Sequence, residues 1–101
     1  MLRTLFGMGP KVDLTEIIKN GAVIVDVRTK AEYAEGHVKG SLNIPLDQLA
    51  QNLNKIPKGK PVITCCRSGA RSGAALDILK GQGMEAYNGG PWTSVNSLMA
   101  K

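Results

Sequence analysis

Apolar positions along the chain fall into short blocks of two kinds. Residues 22–27, Ala-Val-Ile-Val-Asp-Val, are apolar apart from Asp26 and rich in β-branched side chains, the pattern of a strand covered on both faces in a parallel sheet. Val62 to Cys65 repeats it after Pro61 and predicts a second central strand. A brief strand is predicted near Leu42 to Ile44, closed by Pro45, and a last one over Met84 to Tyr87, with Asn88-Gly89-Gly90-Pro91 as a turn. The other blocks are helical. Asp13 with Glu16, and Thr29 with Glu32, have capping-box spacing. They predict short helices through Ile17 and Ile18, ended by Asn20 and Gly21, and through Tyr33, ended by Gly36. Leu46, Leu49, Ala50 and Leu53 recur at helical spacing. From about Gly69 the period is again helical, with Arg71 pointing one way and Ala74, Ala75, Ile78 and Leu79 forming an apolar stripe, until Gly81 and Gly83. Trp92 to Met99 reads as a terminal helix or loose tail.

Strands alternating with helices imply right-handed crossovers and a parallel sheet with helices on both faces, an α/β architecture. Ligands of such sheets sit beyond the carboxyl ends of the strands, so the segment after Cys65 is the place to look for chemistry. With 101 residues, 43% of them hydrophobic and 21% charged, residues 1–101 are expected to form one domain with a single core. The net charge of +5 invites a nucleic-acid reading. Against it, no basic residues run together, aromatics are 4%, and neither a helix-turn-helix spacing nor an aromatic RNA-binding motif is present. The stretch holding Lys55, Lys58, Lys60, Arg67 and Arg71 has no acidic residue. It suits a small anion arriving at one place, or else is a solvated basic face. Apolar runs are far shorter than a membrane span, and Leu2, Leu5 and Phe6 are broken off by Gly7, Gly9 and Pro10, unlike a secretory leader. A cytoplasmic protein is expected, or a periplasmic one if a leader was removed.

Cys65 and Cys66 adjoin, so a bridge between them would staple no loop. They open the segment Cys65-Cys66-Arg67-Ser68-Gly69-Ala70-Arg71-Ser72. A cysteine beside helix N-terminal amides and guanidinium groups has its thiolate stabilised, and the thiolate is the nucleophile. Small residues let successive N–H groups curl inward as a cradle for an anion. Side chains alternate along a strand. If Cys66 enters the cradle, Cys65 therefore points into the packing between sheet and helices.

Residues 66–72 resemble the active-site loop of rhodanese-family sulfurtransferases, Cys-x-Ser-Gly-x-Arg-Ser, at every fixed position. Asp26-Val27-Arg28, Glu32-Tyr33, Gly36-His37-Val38, Gly40-Ser41 and Asn43-Ile44-Pro45 resemble a second signature of that family in the right order. At the other end the chain departs from the family, because Pro91-Trp92 follows Gly89-Gly90 directly. The resemblance spans a core of about residues 12–92. It implies a sheet of about five parallel strands and a Cys66 nucleophile that carries sulfur as a persulfide. It implies no metal and no organic cofactor. Arg71 and the amides around Ser68, Gly69, Ala70 and Ser72 would hold the substrate's charge, with Arg67 at the rim. Asp26, Arg28, Glu32 and His37 match positions that form a fold-supporting charge network.

The expected substrates are a small anionic sulfur donor, thiosulfate or a persulfide, and a thiol or cyanide acceptor, with a thioredoxin-like protein as a candidate partner. A monomer is expected, with no nucleic acid and no membrane. Two other readings compete. Cys65 and Arg71 also have the cysteine, five residues, arginine spacing of a same-fold phosphatase or arsenate reductase, although the loop counted from Cys66 is sized for one sulfur atom. The loop also suits a non-catalytic module that only docks a partner.

Overall fold

The computed structural model describes residues 13–99. The N-terminal residues Leu2 to Pro10, weighed above as a leader, lie outside them. Helix α1 (Leu14–Lys19) is capped by Asp13, whose carboxylate accepts from the Thr15 N–H at 3.0 Å. Strand β1 (Val23–Asp26) follows, then α2 (Lys30–Glu35), β2 (Leu42–Asn43), α3 (Leu46–Leu49) and a 3-10 turn at Leu53–Lys55. Strand β3 (Val62–Cys66), α4 (Ala70–Gly81), β4 (Ala86–Pro91) and α5 (Trp92–Met99) complete the chain. The Thr29–Glu32 capping box at the start of α2 is formed in both directions, as its spacing predicts.

All strand pairs are parallel, in the order β2-β1-β3-β4. Among the described residues the sheet has four strands, against the five or so implied by the family resemblance. Each of the four strand-like segments of the sequence is used, and none of the remaining described segments carries the apolar run a further strand needs. The chain leaves β1 towards β2 and then crosses back to β3 on the other side, so the ends of β1 and β3 form the switch point where ligand crevices open.

Alternation along the strands builds two cores. Val25, Val62 and Cys66 share one with Leu49, Ala75 and Leu79 of α3 and α4. Ile24, Ile63 and Cys65 share the other with Val38 and with Val95 of α5, against which α1 and Trp92 also pack. Helices therefore cover both faces, as expected. On α4 the buried positions are Ser72, Ala75 and Leu79, while Ala74, counted in the predicted stripe, is exposed. The buried side starts at Ser72, whose hydroxyl meets Cys66 of β3 and Asn88 of β4.

The turn predicted at Asn88-Gly89-Gly90-Pro91 is strand instead. Thr64 pairs with Asn88 and Cys66 with Pro91, so β4 spends three steps where β3 spends two, a bulge across the glycine pair. Gly90 has φ +75°, a left-handed conformation suited to glycine. A Cβ on Gly89 would lie 2.6 Å from Val95 Cγ2 and 2.8 Å from both Ile63 Cγ2 and the Thr64 carbonyl oxygen. Gly89 thus serves close approach of α5 to the sheet and Gly90 the bulge, rather than a reversal. Gly89→Ala should lower stability by about 1–3 kcal/mol through overpacking, seen as a lower urea midpoint at unchanged slope. Gly81→Ala, with nothing within 4 Å of its Cβ, should match or exceed the parent. Equal midpoints for Gly89→Ala and the parent would contradict this packing.

The terminal segment 92–99 is helix, of the two states its sequence allowed. None of the described helices is long and apolar enough to cross a membrane.

Candidate active site

Strand β3 ends at Cys66, and the chain turns through Gly69, at φ +105°, into α4. This turn carries the backbone around the sulfur. Cys66 Sγ accepts from the Gly69 N–H at 2.9 Å and the Ser72 N–H at 3.3 Å, and Ser72 Oγ lies 3.4 Å away. The sulfur also sits at the N-terminus of a 12-residue helix, where the backbone dipoles favour an anion. Burial opposes ionisation of Cys66. The Ser72 hydroxyl and the Ser72, Gly69 and Ser68 amides outweigh it and hold the thiol below the ordinary cysteine value.

Cys65 faces the opposite way, as the strand alternation requires. It is fully buried beside Ile24, Val38, Ile63 and Val95. Burial pushes its thiol up to about 12, Asp26 and Cys66 adding to the effect and Arg28 opposing it. One cysteine of the adjacent pair is therefore prepared as a thiolate and the other as an apolar filler. The spacing from Cys65 to Arg71 brings no cysteine and arginine into one pocket, because the sheet lies between the Cys65 sulfur and α4.

Arg71 departs from the sequence reading, whereas Arg67 lies exposed on the loop as a rim residue would. Arg71 does not stand free towards the cradle: its Nη1 and Nη2 donate to Glu32 Oε1 and Oε2 at 2.7 and 2.9 Å. Glu32 is the N3 residue of α2, so one carboxylate caps that helix and ties it to the Cys66 loop. The Arg71 bond, foremost, and the Thr29 N–H hold the Glu32 carboxyl down at about 2, against a smaller opposing effect of burial. Such a bridge stabilises the fold above pH 4.5 and loses its effect as pH falls from there towards 2. Arg67 is exposed, with no ion pair among the described residues. Ala70 is exposed at the first position of α4.

Of the residues expected to form a charge network, Asp26 and Arg28 are a buried ion pair that Glu32 joins through its backbone carbonyl, its carboxylate being paired with Arg71. Arg28 Nε and Nη2 donate to Asp26 Oδ1 and Oδ2 at 3.0 and 2.8 Å, with both side chains buried. Nη1 and Nη2 reach further, to the carbonyl oxygens of Glu32 and Gly36 at 3.2 and 2.6 Å. The Trp92 ring lies 5.0 Å over the guanidinium, a cation–π contact that gives this tryptophan a place despite its unusual spacing. His37 stands outside the network. It is exposed, stacked on Tyr33 at 3.7 Å, with Nδ1 2.7 Å from the Tyr33 carbonyl oxygen.

The basic stretch does not converge. Lys58 and Lys60 lie at the start of β3, where they line a groove of about 620 Å³ with Ile56, Pro57 and Met84. The strand from Val62 to Cys66 lies between them and the sulfur, four steps or roughly 13 Å at 3.3 Å per residue. The exposed lysines form a solvated face away from the thiolate.

Two site residues escape a linear reading. Thr64 Oγ1 donates to the Ser72 carbonyl oxygen at 2.9 Å and pins the start of α4 to β3. Asn88 Oδ1 accepts from Ser72 Oγ at 2.7 Å. Neither contact has a sequence signal, because each partner lies on a different element.

Comparison with known proteins bears on the family and the fold. The profile of the rhodanese-like domain matches residues 11–91. A sulfurtransferase of Allochromatium vinosum is 41% identical over 61 residues, 60% of this chain and 57% of that protein. The thiosulfate sulfurtransferase GlpE of Ectopseudomonas mendocina is 35% identical over 74 residues, 72% of this chain and 68% of that one. The chain spans little more than half the length of the relatives it matches above 40% identity. Among solved structures, a rhodanese-related protein from Thermoplasma volcanium superposes with a TM-score of 0.71 at 28% identity, covering 87% of this chain and 85% of its own. With its sheet, its loop and this match over most of its length, the chain belongs to the rhodanese-like domain family.

Proposed function

We propose that this domain is a sulfurtransferase that carries a sulfane sulfur on Cys66, taking it from thiosulfate or a small persulfide and passing it to a thiol or cyanide. The observation that carries the proposal is the convergence of the Ser68, Gly69 and Ser72 amides on one buried sulfur at a helix N-terminus. The Cys66 thiolate attacks the outer sulfur of thiosulfate. A Sγ–S bond forms as the S–S bond of the donor breaks, and sulfite leaves with the bonding electron pair. Cyanide or a thiolate then attacks the carried sulfur, and the electron pair of the Sγ–S bond returns to Cys66. In this reading the loop amides stabilise the negative outer sulfur between the two steps. A donor persulfide reacts in the same way with a thiolate as leaving group. The names of the related proteins support sulfur transfer.

The test is intact mass after incubation with thiosulfate. A gain of one sulfur atom on Cys66, removed by cyanide with release of thiocyanate, is the expected result. Turnover of a phosphate ester with no such adduct would favour a phosphatase. Correctly folded protein with neither activity would favour a docking module.

The Glu32–Arg71 bridge adds a kinetic expectation. Arg71→Ala leaves an unpaired carboxylate near the thiolate and its anionic donor, so kcat/KM for thiosulfate should fall about tenfold. Adding Glu32→Gln, which keeps a capping side chain at N3, should recover part of that loss. Undiminished kcat/KM in Arg71→Ala would remove this arginine from the substrate's electrostatics.

A further inference from the structure

Ser72 has one hydroxyl proton and three acceptors in reach: Asn88 Oδ1 at 2.7 Å, the Gly69 carbonyl oxygen at 3.0 Å and Cys66 Sγ at 3.4 Å. The other neighbour of Asn88 fixes which way its amide points. The Gly90 N–H lies 2.9 Å from the same side-chain atom. Because an N–H needs an acceptor there, that atom is the carbonyl oxygen, and towards Ser72 it can only accept. The Gly69 carbonyl already takes the Gly73 N–H at 3.0 Å, so with a neutral Cys66 the thiol proton points to Ser72 Oγ and the Ser72 proton to its nearer oxygen acceptor, Asn88 Oδ1. Once the Cys66 proton has left to solvent, the thiolate is a charged and stronger acceptor. Rotation about the Ser72 Cβ–Oγ bond then moves the hydroxyl proton from Oδ1 to Sγ.

We propose that Asn88 is a positioning residue for Cys66: its side-chain oxygen competes with Sγ for the Ser72 proton, so the hydroxyl turns to sulfur when Cys66 is anionic and back to Asn88 when the charge has left Sγ. The return half rests on the persulfide reading above, in which the negative charge sits on the outer sulfur and Sγ is an uncharged, weak acceptor. Asn88 touches no reacting atom. It acts through Ser72, which Thr64 holds in place from below.

The charged groups around the sulfur are the same in Asn88→Leu and Ser72→Ala as in the parent, and only Asn88→Asp adds one. Arg71 of α4 is matched by Glu32 of α2, Arg28 and Asp26 at the end of β1 are matched by each other, and Arg67 is exposed on the loop. From β4, Tyr87 packs on the opposite core and so faces away.

The experiment is the rate of Cys66 alkylation by iodoacetamide against pH, in which Cys65, its thiol pushed up to about 12, stays un-ionised and silent. Asn88→Leu, close in size and without an acceptor, should lower the midpoint by about half a unit to one unit, the effect of releasing one hydrogen bond to the sulfur. Ser72→Ala should raise it. In the Ser72→Ala background, Asn88→Leu should have no further effect, which a merely structural role for Asn88 would not produce. Asn88→Asp keeps an acceptor for the Gly90 N–H, binds the Ser72 proton harder and adds a negative charge that itself opposes the thiolate, so it should raise the midpoint, and by less once Ser72 is alanine and the charge acts alone. An unchanged or raised midpoint in Asn88→Leu, or equal shifts in the two backgrounds, would overturn the proposal. Alkylation requires no sulfur transfer. A missing sulfur adduct with these shifts intact would therefore count against the persulfide reading alone.

Discussion

Cys66→Ser should abolish sulfur transfer from thiosulfate to cyanide, with a loss of about a thousandfold or more, while Cys65→Ala retains most of the activity. A serine at position 66 keeps an acceptor for the Gly69 and Ser72 amides, so the loop has reason to stay folded. Its hydroxyl is far less acidic than a thiol and a poor nucleophile towards sulfur, and loss of the covalent carrier removes both half-reactions. Cys65 lies across the sheet among Ile24, Val38, Ile63 and Val95. Its replacement by alanine leaves a small cavity, which costs stability rather than chemistry. Steady-state thiocyanate formation by folded variants, checked by circular dichroism, decides the matter. An inactive Cys65→Ala beside an active Cys66→Ser would invert the site and end the sulfurtransferase reading.

The largest expected effect on stability belongs to Arg28. In Arg28→Ala the Asp26 carboxylate, fully buried, keeps only the backbone N–H of residue 28 at 3.0 Å and loses its counter-charge. The carbonyl oxygens of Glu32 and Gly36 lose a donor as well. Breaking one side of a buried pair typically costs about 3–5 kcal/mol, a large share of the roughly 5–15 kcal/mol that holds a small domain together. The melting temperature should fall by more than about 10 °C. The charge left behind, rather than the missing contact, is the main cause. Asp26→Leu combined with Arg28→Met should accordingly melt above Arg28→Ala. A melting temperature for Arg28→Ala within about 2 °C of the parent would show that the pair is not the keystone its burial suggests.

Both expectations meet in the way α2 is held. Arg28 fixes the carboxyl end of β1 to the end of α2, Glu32 fixes the start of α2 to Arg71, and Arg71 is on the first turn of α4, whose amides surround Cys66. Damage at Arg28 should therefore reach the sulfur as a looser loop, without any direct contact between the two residues.

Much of this was legible from local pattern. The β-branched runs at 22–27 and 62–65 became the two central strands because such runs have no partner but a sheet covered on both faces. Thr29 and Glu32 announced α2 by a contact between residues three apart. The opposite facing of Cys65 and Cys66 followed from strand geometry alone, and with it the choice of sulfur. What the linear order could not show are contacts between elements. Glu32 and Arg71 are 39 residues apart and Ser72 and Asn88 are 16 apart, so whether Arg71 stood free and whether Asn88 belonged to the site depended on how α2 and β4 pack against α4. The lysines at 55, 58 and 60 seemed to join the arginines only because a chain runs through both ends of a strand. Gly89 and Gly90 imitated a turn, since glycine signals freedom of the backbone without saying whether that freedom serves a reversal or a close approach. Side-chain order along each element was set by the sequence, and so was the loop whose Gly69 and Ser72 amides, three and six residues on, meet the Cys66 sulfur. Which side chains of α2 and β4 brace that loop was decided by tertiary packing, because only folding brings Glu32 to Arg71 and Asn88 to Ser72.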